Sequence, residues 1–345
     1  MQKNSKNRLI MNIAFLVVIF VLIIVVGENS FKDIFEQLAS TSLLTLFIVV
    51  LLGFLYQLLE GKVVQLIADP FCEEFSQKNG FFLSGSVAFY RVITLGAGTL
   101  VSEVQYYREK GMKMSQGIGV TVLHMMMYKL AVLTYAVFGL VLQFSRLWHE
   151  RPQYIALVLF GIVVTAIIVI ALALLASSIN LQVGVMLFCN KVFKSRKIRD
   201  WIDNLNLQIF SLRETFQTIV QDRTKILRIY YWSLFKLFFW YLIPYAILFQ
   251  LHPSLNFLTS LSFISMVVVT AGVIPTPAGV GSFEFIYLLL FRPLVGEVDT
   301  LSSLLLYRFS TYVLPFLIGL VYVLLKKRRQ ISSELREVRK EKNNS

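Results

Sequence analysis

The length and composition of this chain exclude a soluble globular protein. Of its 345 residues, 57% are hydrophobic and 15% are charged, and several apolar runs reach the roughly 20 residues that cross a bilayer. The formal net charge of +13 would suggest nucleic acid as partner of a soluble protein. Here the basic residues flank apolar runs, which favours membrane orientation and attraction to anionic inner-leaflet lipid instead.

Six apolar runs are each predicted to form a transmembrane helix, the first of them uncleaved. They lie at about 9–26, 42–59, 118–142, 154–178, 229–250 and 301–325. Two further segments, 81–103 and 257–292, are apolar but interrupted by glycine, proline, serine and an acid. We therefore predict an all-α polytopic membrane protein with about six full spans and two oppositely oriented re-entrant helical hairpins.

The distribution of basic residues predicts the topology. Both ends of the chain are basic, and the loop 179–228 carries a cluster of lysine and arginine near its start, whereas 27–41 and 251–256 are poor in both. We expect both termini and the long loop to be cytoplasmic, with 27–41, 143–153 and 251–256 external. The protein is predicted to lie in the cytoplasmic (inner) membrane.

The order of these elements predicts an inverted repeat within a single membrane domain, 1–345. The first half-repeat is 1–142, and the second is 154–325, with a cytoplasmic amphipathic insert at 179–228 and a basic tail at 326–345. Broken helices that meet near the bilayer centre are typical of transporters built in this way.

An apolar stripe along the insert predicts a helix with one apolar face. Its members recur at steps of four and three residues: Ile198, Ile202, Leu205, Ile209, Leu212, Phe216 and Ile219. Such a helix either lies in the cytoplasmic interface or packs on the ends of the spans, and the sequence favours neither interpretation.

The two interrupted segments share a motif. The first reads A97-G98-x4-E103-x2-Y106 and the second reads A278-G279-x4-E284-x2-Y287. An aromatic–basic pair follows each glutamate, at a distance of 25 and 23 residues: Tyr128-Lys129 in the first half and Tyr307-Arg308 in the second. The match supports the predicted repeat.

The stretch VIPTPAGVGSFEF, 273–285, predicts a broken helix. Its prolines remove backbone donors and end the preceding helix, and its glycines permit turns. A half-helix is then expected to begin near Ser282 as its N-cap, with free amides that form a small anion site and with Glu284 in the first turn. The predicted hinge residues of both segments are Pro275, Pro277, Gly279, Gly281, Gly96 and Gly98.

The charged residues inside the predicted spans are the candidate site. A charge near the bilayer centre costs at least about 2.5 kcal/mol and normally faces a cavity or a partner. Glu284 and Glu103 are the acids, and Arg308, Lys129 and Arg91 are the candidate bases. A purely structural ion pair explains one such contact, but acids and bases at matching positions in both halves favour a functional site.

The remaining residues predict no chemistry. We find no nucleophile–base constellation, metal-ligand spacing or cofactor motif, and expect no enzymatic activity, metal or cofactor. His124 is interpreted as a hydrogen-bonded core residue rather than a proton relay, and the aromatic residues of 230–245 as an interfacial belt and helix packing.

Three stretches resemble one known family. PTPAGVGSFE (275–284), LYRFSTYVLPFLIGL (306–320) and ITLGAGTLVSEVQYYREKGMKMSQGIG (93–119) are similar to motifs in the transmembrane, flippase-like region of lysylphosphatidylglycerol synthases, the multiple peptide resistance factors. The chain departs from the family pattern at Ala278, where a glycine is usual, and lacks a proline near Thr94 or Leu95.

The resemblance implies translocation of phospholipid, including aminoacylated phosphatidylglycerol, between leaflets, and with it resistance to antimicrobial peptides. Membrane phospholipids would be the partners, and the substrate-binding residues would be Glu284, Arg308, Glu103, Lys129, Arg91, Ser282, Tyr307 and Tyr128. Only about 20 residues follow the last predicted span, so we expect no synthase domain here and a separate lipid-modifying enzyme, such as a phosphatidylglycerol lysyltransferase, as a partner.

Two other functions stay open at this point, as does a homo-oligomer. The first is an ion-coupled transporter of a small solute on the same repeat, in which the acids carry coupling protons. The second is a membrane scaffold for a lipid-modifying enzyme. A lateral opening to lipid would favour the lipid translocase, and a sealed central cavity would favour the solute transporter.

Overall fold

The computed structural model describes residues 41–192, 196–276 and 281–343, and in that part of the chain it contains twelve α-helices and no strand. The helices are α1 Leu43–Ala68, α2 Gln77–Ile93, α3 Thr99–Glu109, α4 Met114–Glu150, α5 Pro152–Ser177, α6 Ile179–Val192, α7 Arg196–Val220, α8 Arg223–Leu248, α9 Phe257–Ala271, α10 Ser282–Val295, α11 Glu297–Arg308 and α12 Leu314–Asn343. One π-helical turn, Phe309–Val313, joins α11 to α12.

Five helical segments are long and apolar enough to cross a membrane. They are α1, α4, α5, α8 and the continuous segment Glu297–Ser333, which combines α11, the π-helical turn and most of α12. These segments match five of the six predicted spans, and the sixth, 9–26, lies outside the described residues. The all-α, polytopic prediction is confirmed.

Each interrupted segment forms two helices with a break between them. The break between α2 and α3 lies at 94–98, and the break between α9 and α10 begins after Ala271 and ends at Gly281. The longest of the four helices, α2, has 17 residues, which at 1.5 Å per residue is shorter than the roughly 30 Å hydrocarbon core.

Close helix contacts connect the first and last parts of the chain. α1 packs along α8, α2 along α12, and α9 along α4. Small residues permit two of these contacts, since a β-carbon on Gly319 of α12 would lie 1.9 Å from the carbonyl oxygen of Gly85 of α2, and one on Gly139 of α4 would lie 2.9 Å from Cα of Ser262 of α9. Such approaches are typical of helix packing in membranes.

The amphipathic helix α7 packs against α4 and α5. Ile202, Leu212 and Ile219 of its apolar stripe are buried. A β-carbon on Gly119 of α4 would lie 2.0 Å from Oγ1 of Thr215, so the two helices touch directly. This contact favours the second interpretation of the stripe, in which the helix packs on the spans.

The Gly85–Gly319 contact predicts a large effect from one methyl group. We expect Gly319→Ala to lower the free energy of unfolding by about 1–3 kcal/mol, because the two backbones must move apart to admit the β-carbon. Gly184→Ala is the matched control, since a β-carbon there meets nothing within 4 Å. Thermal unfolding of both variants in detergent checks this, and equal stability of the two would contradict the close contact.

Candidate functional site

The second break places Glu284 at the start of a half-helix. Gly281 has φ of +93°, which favours glycine, and it is the N-cap of α10. The N–H of Gly281 donates to the Glu284 carboxylate at 2.7 Å. Ser282 is therefore the first helical residue rather than the predicted N-cap, and its hydroxyl is 2.8 Å from that of Thr276. The Glu284 carboxylate therefore already accepts a hydrogen bond from one of the backbone amides of the predicted anion site.

The helix before this break ends earlier than predicted. α9 ends at Ala271 with Gly272 as its C-cap, four residues ahead of Pro275. Since proline lacks an N–H and disfavours helical conformation in the preceding residue, Pro275 keeps the helix from continuing rather than interrupting it. Pro277 and Gly279 lie outside the described residues.

Arg308 meets Glu284 across the break. Its Nε and Nη2 each lie 2.6 Å from Oε1 of Glu284, and its guanidinium lies 4.5 Å from the ring centre of Phe283 and 5.7 Å from that of Tyr312. The Glu284 side chain is 30% exposed, so the pair is not fully enclosed by the protein. The structure thus brings these two predicted site residues together.

A π-helical turn directly follows Arg308. Such a turn adds one residue to the helix and is common at functional sites. The hydroxyl of Ser310 in this turn donates to the carbonyl of Val49 at 2.8 Å, and a β-carbon on Gly53 would lie 2.1 Å from that hydroxyl. The turn therefore fixes the segment that carries Arg308 against α1.

The first break depends on both predicted glycines. Leu95 and Gly96 have positive φ, +52° and +92°. The N–H of Gly98 donates to Oγ1 of Thr94 at 2.8 Å, and a β-carbon on Gly98 would lie 2.9 Å from that side chain. Arg91 occupies the last turn of α2 immediately before the break.

Glu103 and Lys129 do not repeat the Glu284–Arg308 pair. The charges within electrostatic range of Glu103 are those of His124, Glu60 and Arg91. Lys129 makes no ion pair or hydrogen bond in the described part of the chain. His124 and Lys129 are five residues apart on α4, so they point about 140° apart around the helix, and Glu103 lies on the His124 side.

A second charged cluster was not predicted as a site. Lys236 of α8 forms an ion pair with Glu60 of α1, and Nε2 of His124 lies 3.1 Å from Oε1 of the same carboxylate and 3.4 Å from Nζ of Lys236. Lys236 is fully buried, and its ammonium faces the rings of Tyr128 and Tyr56 at 5.5 and 6.0 Å. We call Glu60, His124 and Lys236 the lysine cluster.

The sequence contains a signal from which part of the lysine cluster could have been predicted. Lysine within an apolar span suggests a functional site by default, and Lys236 stands in the middle of α8. Glu60 was missed because the predicted span ended at residue 59, whereas α1 continues to Ala68. Tyr241 is buried, which fits the helix-packing part of the interpretation of 230–245, and the hydrogen-bonding partners of His124 are charged.

Aromatic rings connect the lysine cluster to Arg308. Trp240 contacts Tyr56 with ring centres 4.5 Å apart and is 6.4 Å from both Tyr128 and Tyr307. Tyr307 in turn stacks on Phe283 at 5.2 Å. We call these five residues the aromatic bridge.

The aromatic bridge carries buried polar atoms without a partner. Within the described residues, Nε1 of Trp240 and the hydroxyls of Tyr307 and the neighbouring Tyr241 make no hydrogen bond. Buried polar atoms are almost always paired, so these three groups are suited to a polar ligand or to water. These donors lie between the buried lysine cluster and the partly exposed Glu284–Arg308 pair, where a polar group can accept from them.

Comparison with known proteins agrees with this architecture. The family model described as the lysylphosphatidylglycerol synthase TM region matches residues 9–319, whereas the search of curated proteins found no match. The matched range covers both breaks, both charge clusters and the aromatic bridge. The chain therefore belongs to the family of lysylphosphatidylglycerol synthase transmembrane regions.

Proposed function

We propose that the protein moves a phospholipid headgroup, aminoacylated lipid included, between the leaflets of the cytoplasmic membrane while the acyl chains stay in the bilayer. The observation that carries this proposal is an open groove of about 760 Å³ along α1, α2 and α12. Its walls are apolar and include Phe54, Phe81 and Val321.

The chemistry of the groove suits a lipid better than a soluble solute. Phe54 and Val321 are exposed on the outer surface of the helices, so an acyl chain can enter from the side. Lys78, Lys326 and Arg329 line the same groove, and a phosphate is the group that such cations attract. Lys326 is paired with Glu109, which leaves Lys78 and Arg329 as the phosphate contacts in this proposal.

The Glu284–Arg308 pair is the proposed binding site for the headgroup. A headgroup phosphate would exchange for Glu284 on Arg308, and in an aminoacylated or zwitterionic headgroup the cationic part would bind the released carboxylate, so that both protein charges keep a partner. Arg91 and Arg308 are both within electrostatic range of the Tyr312 hydroxyl, which favours a second phosphate contact from Arg91. Ser282, Tyr307 and Tyr128 would line the path, with Glu103 and Lys129 as further polar contacts.

The proposal includes two re-entrant hairpins and an inverted repeat. The shortness of the four helices beside the breaks supports re-entry, because none of them spans the hydrocarbon core alone. The packing of α2 on α12 and of α9 on α4 supports the repeat, since each contact joins the first helix of one hairpin to the closing span of the other half. A pseudo-two-fold axis that relates the two halves would produce such a matched pair of contacts.

A separate lipid-modifying enzyme completes the proposal. We assign transport rather than amino-acid transfer to this chain, and expect a lysyltransferase to supply the modified lipid. The unpaired polar atoms of the aromatic bridge favour the alternative of an ion-coupled solute transporter. That alternative does not explain the open groove along α1, α2 and α12.

The proposed topology is tested by cysteine labelling in intact cells. With Cys72 and Cys189 replaced by serine, we expect Ser254→Cys to react with a membrane-impermeant maleimide, because 251–256 is external. Gln221→Cys should react only after permeabilisation, because it lies on the cytoplasmic side. The reverse pattern would contradict the proposed orientation.

The proposed function is tested by leaflet accessibility in liposomes. Headgroup-labelled phosphatidylglycerol, phosphatidylethanolamine and phosphatidylcholine are incorporated in both leaflets, and an impermeant quencher is added outside. Protein-free liposomes lose only the outer half of the signal, whereas we expect liposomes with this protein to lose more. Quenching that stops at the outer half for all three lipids would overturn the proposal.

Groove variants test in the same assay whether lipid moves along the groove. Val321→Trp partly fills the groove and is expected to slow lipid movement, whereas Phe160→Trp, on the exposed face of α5, is the matched control. Equal rates for the two variants would show that the groove is not the lipid path.

A further inference from the structure

The lysine cluster has a geometry that the lipid path does not require. It joins three helices, α1, α4 and α8, and its fully buried ammonium is held between one carboxylate and one imidazole. An ion pair that only stabilised the fold would not need the imidazole. The headgroup contacts proposed above lie at the other end of the aromatic bridge.

The position of His124 allows two proton arrangements. Its Nε2 is within 3.1 Å of the Glu60 carboxylate and 3.4 Å of the Lys236 ammonium, but one ring nitrogen cannot donate to the first and accept from the second at the same time. If Nε2 carries a proton, it donates to ionised Glu60. If Nε2 is bare, its single lone pair accepts either from Lys236 or from a protonated Glu60.

These arrangements give the cluster two charge states. With Glu60 ionised, Lys236 charged and His124 neutral, the formal charges of the cluster sum to zero. An added proton forms an O–H bond on Glu60 or a second N–H bond on His124, and the sum becomes +1. The Glu103 carboxylate is within electrostatic range of both Glu60 and His124, so the added charge has a counter-charge nearby.

We propose that the lysine cluster takes up and releases one proton in each transport cycle, so that headgroup movement is coupled to the proton gradient. This inference rests on the proposed function. Separating α1 from α8 during transport would leave Glu60 and Lys236 as unpaired buried charges, which is costly. Protonation of Glu60 removes one of these charges. The cluster would therefore bind a proton when α1 and α8 separate and release it when they meet again.

The groups that face the cluster are consistent with a proton site. The titratable side chains within electrostatic range of Glu60 are Tyr56, Glu103, Tyr107 and Tyr128, and Arg91 and Tyr307 are in turn within range of Tyr56. The Tyr107 hydroxyl is buried and lies beside the Glu103 carboxylate, to which it can donate.

The test measures lipid movement and proton flux in the same liposomes. Headgroup-labelled phosphatidylglycerol reports lipid movement, and an internal pH-sensitive dye reports proton entry after the outside is acidified at clamped membrane potential. We expect acidification to accelerate wild-type lipid movement by at least about fivefold, equivalent to roughly 1 kcal/mol of barrier, together with proton entry above that of protein-free liposomes.

The principal variant is His124→Gln, which keeps the Glu60–Lys236 pair and one donor toward Glu60 but has no titrating ring. We expect it to fold and to move lipid without a gradient. Because no imidazole is then present to pass a proton to Glu60, it should lose most of both the acceleration and the proton entry. His252→Gln is the matched control, because His252 also contacts a carboxylate, Asp299 at 2.7 Å, but lies outside the cluster. It should retain both responses.

Each outcome decides between the claims. Wild-type lipid movement that ignores the gradient, with no proton entry, overturns the proton site and leaves the lipid function standing. Absence of lipid movement under all conditions overturns the lipid function, and proton entry that depends on His124 would still support the proton site. If His124→Gln does not fold, Glu60→Gln/Lys236→Met removes both charges and is expected to lose the same responses. The measurement on the wild-type protein tests the proton site even if both variants fail to fold.

Discussion

Glu284→Gln is expected to reduce lipid movement by at least about tenfold, an increase of about 1.4 kcal/mol in barrier height, while the protein stays folded. Glutamine is nearly isosteric and keeps an oxygen that can accept from the N–H of Gly281, so the start of α10 is preserved. It cannot supply the negative charge that Arg308 now contacts through two nitrogens. The leaflet-accessibility assay measures the rate, and thermal unfolding measures the stability.

A double variant separates this result from a structural role. If the pair only held the fold, Glu284→Gln would destabilise the protein and Glu284→Gln together with Arg308→Gln would restore much of the loss. If the pair binds the headgroup, the double variant stays inactive. Wild-type rates in a stable Glu284→Gln protein would remove the acid from the transport path.

Glu60→Gln is expected to have the largest effect on stability, about 3–5 kcal/mol. The change leaves the fully buried ammonium of Lys236 without its carboxylate, and breaking a buried ion pair in this way is strongly destabilising. Glu60→Gln/Lys236→Met removes both charges and should recover most of the loss, because apolar packing replaces a buried pair at little cost. Denaturation in detergent, followed by helix content, measures all three proteins.

The exposed pair Arg146–Glu150 is the control for this prediction. Its side chains are 41% and 58% exposed, and exposed pairs contribute at most about 1 kcal/mol. Glu150→Gln should therefore be nearly neutral. A loss of stability that is the same for Glu60→Gln and Glu150→Gln would show that Lys236 is not buried as the structure has it.

The spans and the break that carries Glu284 could be predicted because each depends on local sequence, whereas Arg308, 24 residues away, was one of three candidate bases. A run of about 20 apolar residues specifies a span by itself, and a break with an acid in its first turn specifies a half-helix. The break also restricts where a basic partner can lie. For the same reason, Gly96 and Gly98 could be assigned to the first break from their position alone.

The lysine cluster could not be predicted in this way, because its three residues come from three helices and only packing brings them together. The motif match put acids and bases at matching positions in both halves, but rotation around α4 turns His124 rather than Lys129 towards Glu103. A motif match in sequence therefore did not guarantee the same charge pairing in both halves. Which charged residues form pairs is decided by contacts between helices that are distant in sequence.

Photocrosslinking tests most directly whether a headgroup passes Arg308. Phosphatidylglycerol with a photoreactive headgroup is reconstituted with active protein, irradiated, and the modified residues are mapped by mass spectrometry. We predict adducts on Phe283 or Tyr312, the two rings beside the Arg308 guanidinium, and their loss in Arg308→Gln. Adducts confined to the outer ends of the helices, in a protein that moves lipid, would contradict the proposed path.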